Sequence, residues 1–192
     1  SYYDNNHTGS YGKIAILSFN GNKVITTGGG GMILTNDKEI YKKAKHITTT
    51  AKVMKGWSWE HDRLGFNYRL PNLNAALGVG QIEILPDILR SKRIIAKEYK
   101  DFCKNNSIHF IDEPNGTKAN FWLNSIVLED RKERDKFLQQ TNEANIGTRP
   151  LWRPIHELEL EKNIKFGHLE NTLWLYDRVV SLPSSAILEL QS

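Results

Sequence analysis

Residues 18–35 read SFNGNKVITTGGGGMILT, and the conformation of this stretch governs how the surrounding chain is interpreted. One lysine, Lys23, stands between an apolar run (Ile14, Ala15, Ile16, Leu17) and four glycines, Gly28 to Gly31, with a second apolar run, Met32-Ile33-Leu34, after them. A lysine in that setting either reaches out to water or sits desolvated in a site, and desolvation favours the neutral, nucleophilic amine. Glycines let backbone approach a ligand closely and leave N–H groups free to face an anion. Ser18 closes the first apolar run, at the kind of strand end where open α/β sheets bind ligands. A tight hairpin with a solvated lysine at its tip is the other reading, because glycine and asparagine are turn residues. Spacing alone leaves both open.

Outward from this stretch, Lys13–Phe19 and Gly31–Thr35 predict two strands with the lysine loop between them. Asn36-Asp37 offers an N-cap for a helix over Lys38–His46. Ile47 to Asn67 is polar and aromatic, with Gly56, Trp57 and Trp59, and predicts a long loop of the kind enzymes use functionally. Residues 61–85, HDRLGFNYRLPNLNAALGVGQIEIL, place Pro71 at a helix start. Ala75, Ala76, Val79 and Ile82, with small Gly78 and Gly80, predict a helix packed closely on a neighbour. Pro86 separates it from a second helix running to Asn105.

Beyond Ser107 the pattern changes. Ile108–Ile111 and Phe121–Leu128 predict strands, Arg131–Ala144 a helix, and Ile146–Ile155 a strand interrupted by prolines. An amphipathic helix is predicted over Asn171–Val180, carrying Trp174, Leu175 and Val179, before a short strand near Ser181-Leu182. The opening YYDNNHTGSYG has the composition of a loop.

The chain of 192 residues suits one domain, or a domain and a half. Lys+Arg 26 against Asp+Glu 22 gives 26 − 22 = +4, a mild basic excess spread along the chain that suits phosphorylated substrates and does not argue for nucleic acid. Lys42-Lys43-Ala44-Lys45 and Arg90-Ser91-Lys92-Arg93 are read as wet faces of helices. One cysteine, Cys103, rules out an internal disulfide framework and fits a reducing cytosol. No run approaches the ~18 apolar residues of a membrane span, so the expectation is a cytoplasmic protein. There is no CxxC, HExxH or GxSxG, and His46, His61 and His109 lack metal-site spacing, so no metal is expected.

SFNGNK followed by ITTGGGG, together with GFNYRLPNLNAALGVGQIE, resembles the DegT-type (DegT/DnrJ/StrS) sugar-nucleotide aminotransferases, which use pyridoxal 5′-phosphate. Gly29, where the family usually has an acidic residue, and more weakly Asn20 and Asn22, resemble relatives acting on 4-keto-6-deoxy-N-acetylhexosamine nucleotides such as the UDP-linked N-acetylglucosamine derivative. The resemblance implies an α/β fold, the C-terminal part of a fold-type-I aminotransferase. Residues 1–85 would be the end of the cofactor-binding large domain, with its mixed sheet, and 86–192 a linking helix and a small α+β domain. It implies that Lys23 is the catalytic lysine forming the Schiff base and that Ser18 contacts the cofactor phosphate. Asn67 would reach the phosphate of the other subunit in a homodimer with shared sites. Arg69 and His156 are candidate substrate or interface residues. Glutamate is the implied donor and a nucleotide-linked 4-keto-6-deoxy sugar the implied acceptor, for cell-surface glycan biosynthesis.

Without the resemblance, the favoured reading is structural for both: Asn67 caps the helix from its preceding loop and Arg69 pairs with a carboxylate. Starting at Ser1 and ending AILELQS, the chain is expected to be a fragment cut at both ends, lacking the aspartate for the pyridine nitrogen. A non-catalytic fragment and a phosphate- or nucleotide-binding module built on the glycines are the competing readings.

Overall fold

The computed structural model describes residues 1–158 and 165–188; residues 189–192 of the closing AILELQS lie outside the described residues. Along the chain run β1 (Tyr2–Tyr3), β2 (Asn6–His7), β3 (Ala15–Ser18), β4 (Gly31–Leu34), α1 (Lys38–Thr48), β5 (Lys52–Lys55), β6 (Ser58–His61), α2 (Asn72–Glu83) and α3 (Leu85–Asn105). There follow β7 (His109–Phe110), β8 (Thr117–Lys118), β9 (Asn124–Val127), α4 (Arg131–Glu143), β10 (Arg149–Pro150), α5 (Glu170–Tyr176) and β11 (Val179–Leu182). Two units emerge: Ser1–Pro86 with Asn115–Ala119, and Asp87–Pro114 with Asn120–Ser192.

In the first unit the polar opening is not a loop. β1 and β2 form a hairpin about Asp4 and Asn5, at φ 45° and 61°, and β8 pairs with the other edge of β1. Asp and Asn tolerate the left-handed conformation that a two-residue hairpin requires, and the turn therefore looked like loop composition. β3 and β4 are the expected antiparallel pair, in the register Ser18↔Gly31 and Ala15↔Leu34. Asp37 caps α1 through its carboxylate, accepting from the N–H groups of Glu39 (2.8 Å) and Ile40 (3.0 Å).

The long loop expected from Ile47 to Asn67 is corrected to a hairpin, β5–β6, turned at Gly56 and Trp57. Gly56 takes φ 62° at the first corner, which relieves the turn of a Cβ clash. Lys55 and Glu60 pair at 2.6 Å on one face, and the Lys52 ammonium lies 5.5 Å from the Trp59 ring on the other. Neither KVMK nor SWEH alternates apolar with polar residues, which concealed two strands whose faces are both wet.

The second unit carries an antiparallel sheet in the order β10-β11-β9-β7. Its core joins Val180 and Ile126 with Cys103 from α3, with Phe110, Phe137 and Leu138 packed against them. Burial pushes the Cys103 thiol pKa up. Val179, expected on a helix, is instead in β11 opposite Val127 and 1% exposed. α5 ends at Tyr176 because the β-branched pair Val179-Val180 fits the middle of a sheet. The strand predicted over Ile146–Ile155 shrinks to the two residues of β10.

Lys92 corrects the reading of 90–93 as a wet face. It lies in the buried stripe of α3 with Ile88 and Ala96 and is 6% exposed. Its ammonium donates to the Ser184 carbonyl at 2.5 Å and reaches the Trp122 carbonyl at 3.5 Å. Tyr99 donates to the Pro183 carbonyl at 3.0 Å, and the Ile187 N–H to Ser91 Oγ at 2.8 Å, so α3 holds 183–187 at three points. Burial lowers the Lys92 pKa. Between that lowered value and 10.5 the unfolded chain binds more protons than the folded one, so this group adds stability as pH rises through the window. Urea midpoints of wild type and Lys92→Met, measured from pH 8 to 10.5, should show a wild-type-minus-variant difference that grows with pH. A flat difference contradicts the assignment.

Candidate functional site

The lysine loop is the connection between β3 and β4, and its ends are closed by backbone. Phe19 N–H donates to the Gly30 carbonyl (3.0 Å) and Thr27 N–H to the Phe19 carbonyl (3.1 Å). Phe19, at the neck of the loop, is buried, 6% exposed. Lys23 follows a tight turn in which its own N–H donates to the Asn20 carbonyl (3.0 Å). Its side chain is half-buried, neither sealed off nor fully solvated.

α2 fixes the far side of the loop. Asn74 Nδ2 donates to the Thr27 carbonyl at 2.6 Å, and Thr26 N–H donates to Gln81 Oε1 at 3.3 Å. Gly78 lies between them, where a Cβ would come within 2.9 Å of Thr27 Cγ2. The neighbour on which this small-residue helix packs is therefore the lysine loop itself. Gly80, grouped with Gly78 from sequence, meets nothing within 4 Å. Asn74, Gln81, Thr26 and Thr27 were missed by sequence reasoning. The only signal available was the small residue at 78, which marks a close approach without saying to what.

Asn67 and Arg69 lie on the segment leading from β6 into α2, in the same unit as Ser18 and Lys23. The segment is strapped to the end of α1: Phe66 N–H donates to the Ile47 carbonyl (2.7 Å), Tyr68 N–H to the Thr48 carbonyl (3.0 Å), and Thr50 N–H to the Phe66 carbonyl (3.0 Å). Asn67 and Arg69 are exposed. The N-cap of α2 is Pro71, with no side-chain cap, so Asn67 does not cap the helix. Among the described residues Arg69 forms no ion pair with a carboxylate. His156 belongs to the second unit, on a single 3-10 turn, half-buried with its ring 5.2 Å from that of Phe166. Ser18, Lys23, Asn67 and Arg69 thus share one unit, and His156 stands in the other.

A lysine loop between two antiparallel strands is thus pinned by a small-residue helix. The DegT/DnrJ/EryC1/StrS aminotransferase family model matches residues 1–192. This chain belongs to that family. GDP-perosamine synthase of Escherichia coli O157:H7 is 35% identical over 186 residues, which are 96% of this chain and 50% of that protein. The UDP-4-amino-4,6-dideoxy-N-acetyl-beta-L-altrosamine transaminase of Campylobacter jejuni serotype O:23/36 is 29% identical over 197 residues, 100% of this chain and 52% of that protein. Helicobacter pylori PseC, an aminotransferase of pseudoaminic acid biosynthesis, matches the fold with a TM-score of 0.91 at 25% identity, over 100% of this chain and 53% of its own. The chain spans about half the length of the curated relatives it matches.

Within this aminotransferase-family fold, Asn74→Ala leaves the Thr27 carbonyl without its donor beside a residue that is 3% exposed. The expected loss is about 1–3 kcal/mol in the urea-unfolding free energy, with faster proteolysis within 19–30. Unchanged proteolysis would show that α2 does not hold the loop.

Proposed function

We propose that this chain is the lysine-bearing C-terminal part of a pyridoxal 5′-phosphate-dependent aminotransferase. Its acceptor is a nucleotide-linked 4-keto-6-deoxy sugar, its donor glutamate, and its setting cell-surface glycan biosynthesis in the cytoplasm. The observation that carries this reading is Lys23, half-buried in a loop held at both ends by backbone and along one side by Asn74 and Gln81. Two of the relatives named above are a perosamine synthase and an amino-sugar transaminase, which supports the acceptor class.

The residues present suit such a cofactor. A primary amine stands half-shielded from water, a serine hydroxyl ends the adjoining strand, and glycines keep side chains away from one wall. When bound, the cofactor supplies the electron sink for the carbon next to the transferred nitrogen. Lys23 would hold the cofactor through its ε-amine and would carry a proton to or from the carbon bearing the transferred nitrogen. Ser18 and Asn67 of the partner subunit position the phosphate by hydrogen bonds in a homodimer with shared sites. Arg69 and His156 are assigned to the charged and polar groups of the substrates.

The β3–β4 ribbon is apolar on both faces. Ile16 and Ile33 lie on one side and Met32 and Leu34 on the other, and all four are exposed. Strands with two apolar faces suit a sheet covered by further layers, which the remainder of the protein would provide. Domain limits follow the same reading, with residues 1–85 ending the large domain and 86–192 forming the linking helix and small domain. A phosphate loop is disfavoured, because such loops lead from a strand into a helix N-terminus and the glycines here lead into β4. Among the described residues no helix is long and apolar enough to cross a membrane.

The full-length protein with added pyridoxal 5′-phosphate should show a visible absorption band that borohydride bleaches. Lys23→Ala should lose both the band and at least 1000-fold of the transamination rate, on the order of the effect of removing a covalent catalyst. A band that survives in Lys23→Ala refutes the assignment. Retention of a nucleotide with indifference to the cofactor would favour the binding-module reading.

A further inference from the structure

The chain turns sharply after α1, and the corner is strained. Thr50 and Ala51 adopt φ 69° and 49°, a region that a β-branched residue such as threonine rarely enters. Ala51 is fully buried, and the buried Thr50 Oγ1 has no hydrogen-bond partner among the described residues. Strain of this kind persists only where surrounding contacts over-determine it, and it gathers at functional sites. The contacts are present here. The His46 carbonyl accepts from the N–H groups of Thr49 (3.3 Å) and Ala51 (2.9 Å). Gly65 is laid against the corner so closely that a Cβ would lie 2.5 Å from Ala51 N and from Thr50 C.

What the corner holds is the backbone on either side of Asn67. Thr49 and Asn67 face each other in an antiparallel bridge, flanked by the straps from Phe66 and Tyr68 to residues 47, 48 and 50. Two side chains extend this ladder to the base of the β5–β6 hairpin. His46 Nε2 donates to Asp62 Oδ1 at 2.7 Å, and His61 Nδ1 donates to the Thr50 carbonyl at 2.6 Å. Arg63 Nε lies 3.4 Å from the same Asp62 oxygen. The hydrogen bond from His46 holds the Asp62 carboxyl below its usual range. The Asn67 amide, in the middle of the strapped segment, is exposed and bonded to nothing among the described residues. A fixed backbone that presents an unused amide has its binding group in place before a ligand arrives.

Resting on the reading of Asn67 as a contact to the cofactor phosphate of the other subunit, we infer that His46 and Asp62 are positioning residues for that contact. They act through residues 62–68 and not on the cofactor. The corner fixes the Asn67 backbone from one side. The His46–Asp62 pair keeps the returning chain on the corner where the backbone ladder is longest, the 3.4 Å bond from Asp62 N–H to the Ala51 carbonyl. A partly exposed pair of this kind contributes little to global stability, so its loss displaces Asn67 without unfolding the unit.

The test titrates the full-length apoprotein by calorimetry with pyridoxal 5′-phosphate and with pyridoxal, which keeps the ring and aldehyde and lacks the phosphate. Asp62→Ala should weaken binding of the phosphate form about tenfold, the effect of a slightly misplaced group. Its affinity for pyridoxal and its thermal midpoint should stay at the wild-type values. Asp62→Asn keeps an acceptor for the His46 N–H and should recover most of the lost affinity. Amide hydrogen exchange of the apoprotein should quicken at Phe66 and Tyr68 in Asp62→Ala. Unchanged exchange at both amides, or unchanged affinity for the phosphate form, overturns the inference. So does an equal loss for both forms, or a loss accompanied by a lower thermal midpoint, since either marks a general structural role. Asn67→Ala separates the two readings. If it leaves the affinity for pyridoxal 5′-phosphate unchanged, the Asn67 assignment fails and this inference with it. If it weakens that affinity and Asp62→Ala does not, this inference alone fails.

Discussion

The first unit depends on the close contact between the lysine loop and α2. A loop of twelve residues between paired Ser18 and Gly31 has many conformations open to it, and ordering each residue costs roughly 1–2 kcal/mol of entropy. Three devices oppose that cost here. Phe19 is buried, its backbone closes the neck with Gly30 and Thr27, and Asn74 holds the Thr27 carbonyl from outside. The contact works only because Gly78 has no side chain, so the helix can approach to within reach of a short amide. Local geometry around Lys23 is therefore set by a helix some fifty residues further along the chain, as the Asn74–Thr27 separation of 47 makes plain.

The second unit uses an opposite device. Lys92 is a charge enclosed without a carboxylate partner among the described residues, and only carbonyl oxygens receive it. Enclosing a cation is unfavourable unless its donors are used. The benefit is positional: α3 grips residues 183–187 through Ser91, Lys92 and Tyr99, at the point where the chain leaves β11. Asn124 continues the same arrangement, its N–H and amide both donating to Ser184 Oγ. Nearby pairs such as Arg93 with Glu113, at 2.6 Å, are half-exposed and contribute orientation more than stability.

Where sequence patterns failed, the cause was two-sided wetness or cross-chain pairing. β5 and β6 have polar residues on both faces, so no alternation of apolar and polar residues announced them. β1 and β2 are two residues each and owe their third strand to β8, more than a hundred positions away. Val179 was drawn into a helical pattern by Trp174 and Leu175, although its place is decided by the β9 strand it faces. Lys92 looked like one more surface cation among Arg90 and Arg93, since nothing local distinguishes the cation that a distant carbonyl will receive.

By itself the sequence determined the α/β class, the strand pair around Lys23, the helices α1 to α4 to within a few residues, and the motifs that identify the aminotransferase family. Those properties rest on short-range physics: apolar periodicity, capping carboxylates, proline and glycine. Only the tertiary structure decided which helix holds the lysine loop, that Asn67 is left uncommitted by α2, and that Lys92 is enclosed. Each of these turns on atoms brought together from separate parts of the chain, and a clash or a hydrogen bond between such atoms leaves no trace in the spacing of either partner.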